Sequence, residues 1–292
     1  MMALRKQRTI SSTVAVEGFG FWSGRDVRLE FRGAEPNTGI VFVRRDMARP
    51  ARIPARVEYR IEAPRRTVLS HAGGSVEMIE HVMAALAGLG IDNCEVWTDQ
   101  PEMPGVDGSS LPFTIALESA GIVEQDAVRP RMMVQSVTRL GNDESWLEAR
   151  PSPNGGGFSA KFRLDYGSNN SIGRQTLEMV ITPSSFRREL ASARTFMLQE
   201  EADWLVARGL GTRVTPKSVL VFGPEGVVDN ELRFEDECVR HKILDLVGDL
   251  ALTGVDLVGH VIAHRSGHRL NAEMARTLLN EEKLTEGYRR SA

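Results

Sequence analysis

Cysteine is nearly missing from this chain: Cys94 and Cys238 are the only two among 292 residues. That excludes a disulfide-stapled fold, and unpaired thiols suit a reducing compartment. Long apolar runs are missing too. Nothing in the sequence approaches the roughly 18 consecutive apolar residues of a spanning helix, so no membrane span is expected. An excess of one charge is also lacking, and a formal net charge of −3 argues against a dedicated nucleic-acid surface. The opening MMALRKQR is basic but runs into polar TISST, so it does not read as a signal peptide. The HExxH pattern of the common zinc peptidases does not occur. What is there, 41% hydrophobic and 26% charged residues, is the make-up of an ordinary soluble protein with room for two domains. A cytoplasmic location is expected.

The most informative segment is FEDECVRHKILDLVGDLAL, residues 234–252. On a helix, Val239, Ile243, Leu246 and Leu250 form one apolar stripe. His241, Asp245 and Asp249 follow at steps of four on the opposite face, with Cys238 and Lys242 beside them. An imidazole and a carboxylate one turn apart can grip a single divalent ion. Read alone, the same pattern suits a solvated helix face, so it needs support from elsewhere.

Two further segments supply it. SVEMIEHVMAALAGLG, residues 75–90, predicts a helix capped at Ser75 and ended by Gly88 and Gly90. His81 lies off its apolar stripe, next to Glu80 and flanked by Ala84 and Ala85, small residues that suggest close approach by another element. Read from that helix alone, an exposed histidine is slightly the better fit. In HRSGHRLN, residues 264–271, His268 sits in a glycine-flanked turn between the strand DLVGHVIAH and a helix for which Asn271 is the expected N-cap. His260 and His264 read as packing or surface residues and His71 as a turn residue. Two histidines and a carboxylate with an open fourth position describe a hydrolytic zinc site rather than a closed structural one. Residue chemistry alone goes no further.

A series of segments resembles the UDP-3-O-acyl-N-acetylglucosamine deacetylases of lipid A biosynthesis, a zinc amidase family. The segments are KQRTI at 6–10, TGIVFVRRD at 38–46, IEHVMAALAGLGIDN at 79–93 and PEMPGVDGSSLPF at 101–113. SARTF at 192–196, LRFEDECVRHKILDLVGDL at 232–250 and SGHRLN at 266–271 complete the set, in the family's order and spacing. The resemblance implies His81, His241 and Asp245 as zinc ligands and Glu80 as the general base acting on the attacking water. It implies His268 as general acid or oxyanion stabiliser, Asp249 as the carboxylate orienting it, and Thr195 as a hydroxyl on the tetrahedral oxyanion. Lys242 and Phe196 match substrate contacts. The implied reaction removes the N-acetyl group of a UDP-3-O-(3-hydroxyacyl)-N-acetylglucosamine, the committed step of lipid A biosynthesis. Such a substrate requires basic groups and an apolar channel, and it implies peripheral contact with the inner membrane. The resemblance places that channel in an insertion near residues 194–224, where Phe196, Leu198, Leu205, Leu210, Val219 and Phe222 are the oily residues. No nucleic acid is expected as a partner, and a monomer is the favoured assembly.

Two segments depart from the family pattern. GFWSG, residues 20–24, stands where GLHSG is usual, and Thr212, Arg213 and Val214 replace a usual glycine pair. Cys238 stands where phenylalanine is usual. The altered 209–222 segment keeps open a related zinc amidase acting on another acylated amino sugar. A non-catalytic sugar-nucleotide binding protein is the rival of a different class; retention of Glu80 beside a full ligand set argues against it.

The order of strands then helices in each half points to an α+β fold. The polar, proline-marked EQDAVRPR at 124–131 is the expected boundary, with domains at 1–127 (Glu80, His81) and 128–292 (His241, Asp245, His268). The resemblance implies two similar two-layer βαβ-type sandwich domains with the active site between them. PSPNGGG at 151–157 reads as a turn between strands.

Overall fold

The computed structural model describes residues 5–153 and 156–290, with side chains described through Glu281. The opening MMAL and the centre of the PSPNGGG turn lie outside the described residues.

Alternating burial builds the strands. In DVRLEFRG, Asp26–Gly33, the buried positions are Val27, Leu29 and Phe31; in FSAKFRLD, Phe158–Asp165, they are Ala160, Phe162 and Leu164. Two sheets result. The first runs Val14–Phe19, Asp26–Gly33, Cys94–Thr98, Ile40–Arg44, Ala51–Pro54 in spatial order. All its neighbours are antiparallel except Ile40–Arg44 beside Cys94–Thr98. The second runs Thr138–Gly141, Trp146–Arg150, Asp256–His264, Phe158–Asp165, Arg174–Ile181, with Arg131–Met133 also on Asp256–His264. Along that path the parallel pair is again the third with the fourth. In both sheets the strand latest in sequence is inserted at the centre, so the two halves share one topology. The composition is α+β, as expected.

Helices flank each central strand. Helices α1 (Glu80–Leu89) and α2 (Leu111–Ser119) flank Cys94–Thr98 in sequence. Helix α3 (Pro183–Ser185), continued by a π-turn over Phe186–Leu190, and α4 (Gln199–Val206) belong to the second half. Helices α5 (Glu237–Leu250) and α6 (His268–Arg290) flank Asp256–His264. Buried residues of both sheets and of α1, α2, α5 and α6 form one continuous core. At its centre α1 and α5 touch backbone to backbone: a Cβ on Gly248 would meet the Glu80 carbonyl oxygen at 2.2 Å and the Ala84 nitrogen at 3.2 Å. The close approach expected beside Ala84 and Ala85 is therefore made by α5.

Two local expectations are corrected. The helix expected from Ser75 starts at Glu80; Gly74–Glu77 is instead a strand paired with Val68–His71. Pairing to a neighbour overrides the helical period there, and Met78 at φ 57° breaks the chain between strand and helix. Glu77 consequently pairs with Arg66 at 2.7 Å rather than sitting in a helical first turn. Asn271 is not an N-cap, because α6 already begins at His268 and buries it. Within EQDAVRPR the strand Ile122–Val128 ends, paired antiparallel with Lys6–Ile10, and the chain enters the second sheet at Arg131. Arg5 bridges the two halves, holding Asp92 and Asp256 each at 2.7 Å.

Candidate metal centre and active site

The α1–α5 crossing decides the site. Helix α1 contributes Glu80 and His81 and α5 contributes His241, Asp245 and Asp249, all buried. Asp245 Oδ1 lies 3.4 Å from His241 Nε2 and 3.7 Å from His81 Nε2, and the ligand atoms of the three residues all fall within 4.8 Å of one another. Donors ~2.0–2.2 Å from one tetrahedral ion stand roughly 3.3–3.6 Å apart, so little movement is needed to enclose one. The two rings are nearly perpendicular, at 85°.

The protonation chemistry fits a cation. Burial, reinforced by the neighbouring His241, pushes His81 down to about 3, and burial also lowers His241. Both imidazoles are thus neutral at pH 7. His241 Nδ1–H donates to the Ala193 carbonyl at 3.1 Å, which leaves the Nε2 lone pair facing Asp245. Burial pushes the Asp245 carboxyl upward, but His241 and Lys242 outweigh it and hold it well below its usual range. Lys242 Nζ donates to Asp245 Oδ2 at 2.8 Å, while Oδ1 is buried and accepts no hydrogen bond from any described residue. An orphaned carboxylate oxygen costs ~1–3 kcal/mol. Three lone pairs converging without a proton are what a divalent ion requires.

Beside this cluster stands a second one. His268 Nδ1–H donates to Asp249 Oδ2 at 2.8 Å, and its Nε2 lies 3.9 Å from Glu80 Oε1. Burial raises the Glu80 carboxyl to about 7, against the opposing pull of His268. Burial lowers His268, but Asp249 and Glu80 outweigh it and bring the imidazole up to about 9. A carboxylate and an imidazolium with separated protonation ranges can serve as base and acid.

The sequence profile of the family described as UDP-3-O-acyl N-acetylglycosamine deacetylase matches residues 7–280. The chain belongs to this deacetylase family. Relatives carry the name UDP-3-O-acyl-N-acetylglucosamine deacetylase in Myxococcus xanthus (36% identical over 94% of this chain and 87% of that one). In Shewanella oneidensis the identity is 38% over 94% and 90%, and in Thermosynechococcus vestitus 38% over 94% and 94%.

In this member of the deacetylase family the residues expected at the site do come together. Thr195, Phe196 and Lys242 line the same cavity of about 1370 Å³ as His81, His241, Asp245, Glu80 and His268. Phe196 sits 6.2 Å from the His241 ring and 6.0 Å from Tyr166. Leu198, Leu205, Leu210 and Val219 line the cavity as expected, and Arg65, Arg174, Arg265 and Arg269 are its arginines. Phe222 is a correction: it is buried behind Phe196, ring centres 6.4 Å apart, and does not reach the cavity. Cys238 holds no place in the metal cluster, and burial pushes its thiol up.

The two departures from the family pattern meet in space. Phe21 and Trp22 line the cavity, as does Val214. Arg213 stacks over Phe19 at 4.4 Å and donates to the Gly24 carbonyl and to Asp26 Oδ1, each at 2.7 Å. The altered 209–214 segment is therefore seated on the altered 20–24 turn.

Several supporting residues escaped the sequence reading. Asn271 donates to Asp249 Oδ2 at 2.9 Å and accepts from Ser266 at 2.8 Å; its motif placed it nearby but suggested a cap. Ser110 Oγ donates to the His81 carbonyl at 2.8 Å. Gly108, at φ 82°, lets the Thr195 strand approach: its carbonyl accepts from Thr195 N–H at 2.8 Å, and a Cβ there would meet the Ser218 carbonyl at 2.2 Å. Arg194 and Glu237, 4% and 1% exposed, pair at 2.8 Å and lock the segment carrying Ala193 and Thr195 onto the start of α5. Glu237→Ala would strand the Arg194 charge, so unfolding stability should fall by about 3–5 kcal/mol. Denaturant titration reads this; an unchanged midpoint would show that Arg194 finds another partner.

Proposed function

We infer that the protein hydrolyses the N-acetyl group of UDP-3-O-acyl-N-acetylglucosamine, yielding acetate and a free 2-amino group, in lipid A biosynthesis. The observation that carries the reading is the meeting of His81, His241 and Asp245 beside Glu80 and His268 in one cavity with apolar and basic walls. Two neutral histidines and one carboxylate are a donor set suited to zinc with a position left open. Zinc held there polarises a carbonyl and lowers the pKa of water to about 7.

The side chains supply the rest. Glu80 takes the proton of the attacking water. Its position 3.9 Å from His268 puts base and acid on the same reacting centre. His268, held by Asp249, donates a proton to the departing nitrogen. Thr195, half-buried in the cavity wall, hydrogen-bonds the tetrahedral oxygen. Phe196 packs against the sugar and acyl portion, Lys242 binds substrate as well as Asp245, and the cavity arginines suit a diphosphate. A fatty acyl chain follows the wall built from 196–219. Its substrate would be met at the inner membrane surface from the cytoplasm. One chain supplies every residue named, so a monomer suffices. We place the domain division at 127/128, at the end of the strand Ile122–Val128 and just before the chain enters the second sheet at Arg131.

Activity requires Glu80 ionised and His268 protonated. The rate should therefore rise with pH through about 7 and fall through about 9, and a bound cation, favouring deprotonated neighbours, moves both limbs down. Acetate release from the acyl-UDP-sugar, followed against pH with and without chelator, tests the reading. Absence of acetate release from the metal-loaded protein across that range rules it out.

A further inference from the structure

Thr67 precedes the strand Val68–His71 and is 1% exposed, in a segment (RRTVLS) where no motif singles it out. Its backbone N–H donates to Glu80 Oε2 at 3.0 Å. Its hydroxyl donates to Asp249 Oδ1 at 2.6 Å. The first bond turns Glu80 so that Oε1 faces His268. The second fixes one oxygen of Asp249, leaving the other to accept from His268 at 2.8 Å and Asn271 at 2.9 Å. Neither Glu80 nor Asp249 belongs to the metal-ligating trio.

We propose that Thr67 is a positioning residue that sets base and acid in one register, its amide aiming Glu80 and its hydroxyl holding the carboxylate that aims His268. The inference rests on the roles given above to Glu80 and His268. A merely packed threonine would also be buried and hydrogen-bonded. What distinguishes Thr67 is that its two donors reach one reacting group directly, Glu80 on α1, and the support of another, Asp249 on α5. A β-branched side chain holds χ1 stiffly, so the hydroxyl is presented in a fixed direction. Loss of it would leave Asp249 free to rotate and carry His268 with it.

The test compares Thr67→Val, which keeps shape and amide but lacks the hydroxyl donor, with Thr67→Ser, which keeps the donor. Thr67→Ala serves as the second hydroxyl-free variant should the valine protein fail to fold. The hydroxyl-free variant should lose about 10–100-fold in kcat, with KM and bound metal per chain near wild type and a thermal midpoint lowered by the loss of one buried hydrogen bond to Asp249. Serine should restore most of kcat. In an Asp249→Asn background, removing the hydroxyl should cause little further loss. Unchanged kcat, a serine variant no better than valine, or the same fold-loss in the Asp249→Asn background would each overturn the proposal. Parallel Glu80→Gln and His268→Gln proteins separate the two readings: if they are inactive while Thr67→Val is fully active, only the role of Thr67 fails. If they are active, the roles beneath it fail as well.

Discussion

Replacing Glu80 with glutamine should lower turnover by about 10²–10⁴-fold while leaving the bound metal in place. The side chain is 3% exposed, and glutamine matches its size and can still accept the Thr67 amide proton through its carbonyl oxygen. It cannot accept the proton of water in the transition state. Burial has brought the Glu80 carboxyl to about 7, where a base is strong enough to take a proton and still ionised for much of the time. The metal cluster needs only His81, His241 and Asp245, so metal analysis should give the wild-type value. The acid limb of the pH profile should vanish with the carboxyl. Turnover within about threefold of wild type, against the ~10² minimum expected for a general base, would remove Glu80 from the chemistry.

His268→Gln should be of similar size, about 10²–10⁴-fold in kcat, with the opposite signature in pH. Asp249 and Glu80 overcome the effect of burial and keep His268 protonated up to about 9. Glutamine can donate to Asp249 but has no ionisable proton to give the leaving nitrogen, so the basic limb should flatten while the acid limb stays. Asp249→Asn should lose less than His268→Gln, since it misplaces the imidazole without deleting it, and the double variant should be little worse than His268→Gln alone. Steady-state kinetics of the three proteins across pH 5–10 reads all of this. A full-height basic limb in His268→Gln would place the acid elsewhere.

The chemistry of this site was legible in the sequence because it is carried by residue type and helical spacing. His241, Asp245 and Asp249 at steps of four need only a helix to share a face, and Glu80–His81 are adjacent. The burial of that face was less legible. The sequence pattern alone allowed His241, Asp245 and Asp249 to face solvent; in the structure all three are buried on the side of α5 that meets α1, which lies against Gly248. The central strand Asp256–His264 was found at its correct limits, since alternation and flanking glycine and polar residues mark it. Ser75–Glu77 was not, because a hairpin partner decides its state and periodicity does not report partners. The shared topology of the two halves left no period in the residues; it resides in strand order. Thr67 and Asn271 each reach Asp249 by a side-chain hydrogen bond across 182 and 22 residues of chain, which spacing cannot foretell.

Metal content after exhaustive dialysis, measured on the native chain and on His81→Ala, His241→Ala and Asp245→Ala, bears most directly on the convergence of α1 and α5 around one ion. The native protein should keep close to one divalent ion per chain, and each single variant, whether on α1 or α5, should lose it together with acetate release. An ion retained at full stoichiometry after His81 is removed would mean that the two helices do not share it.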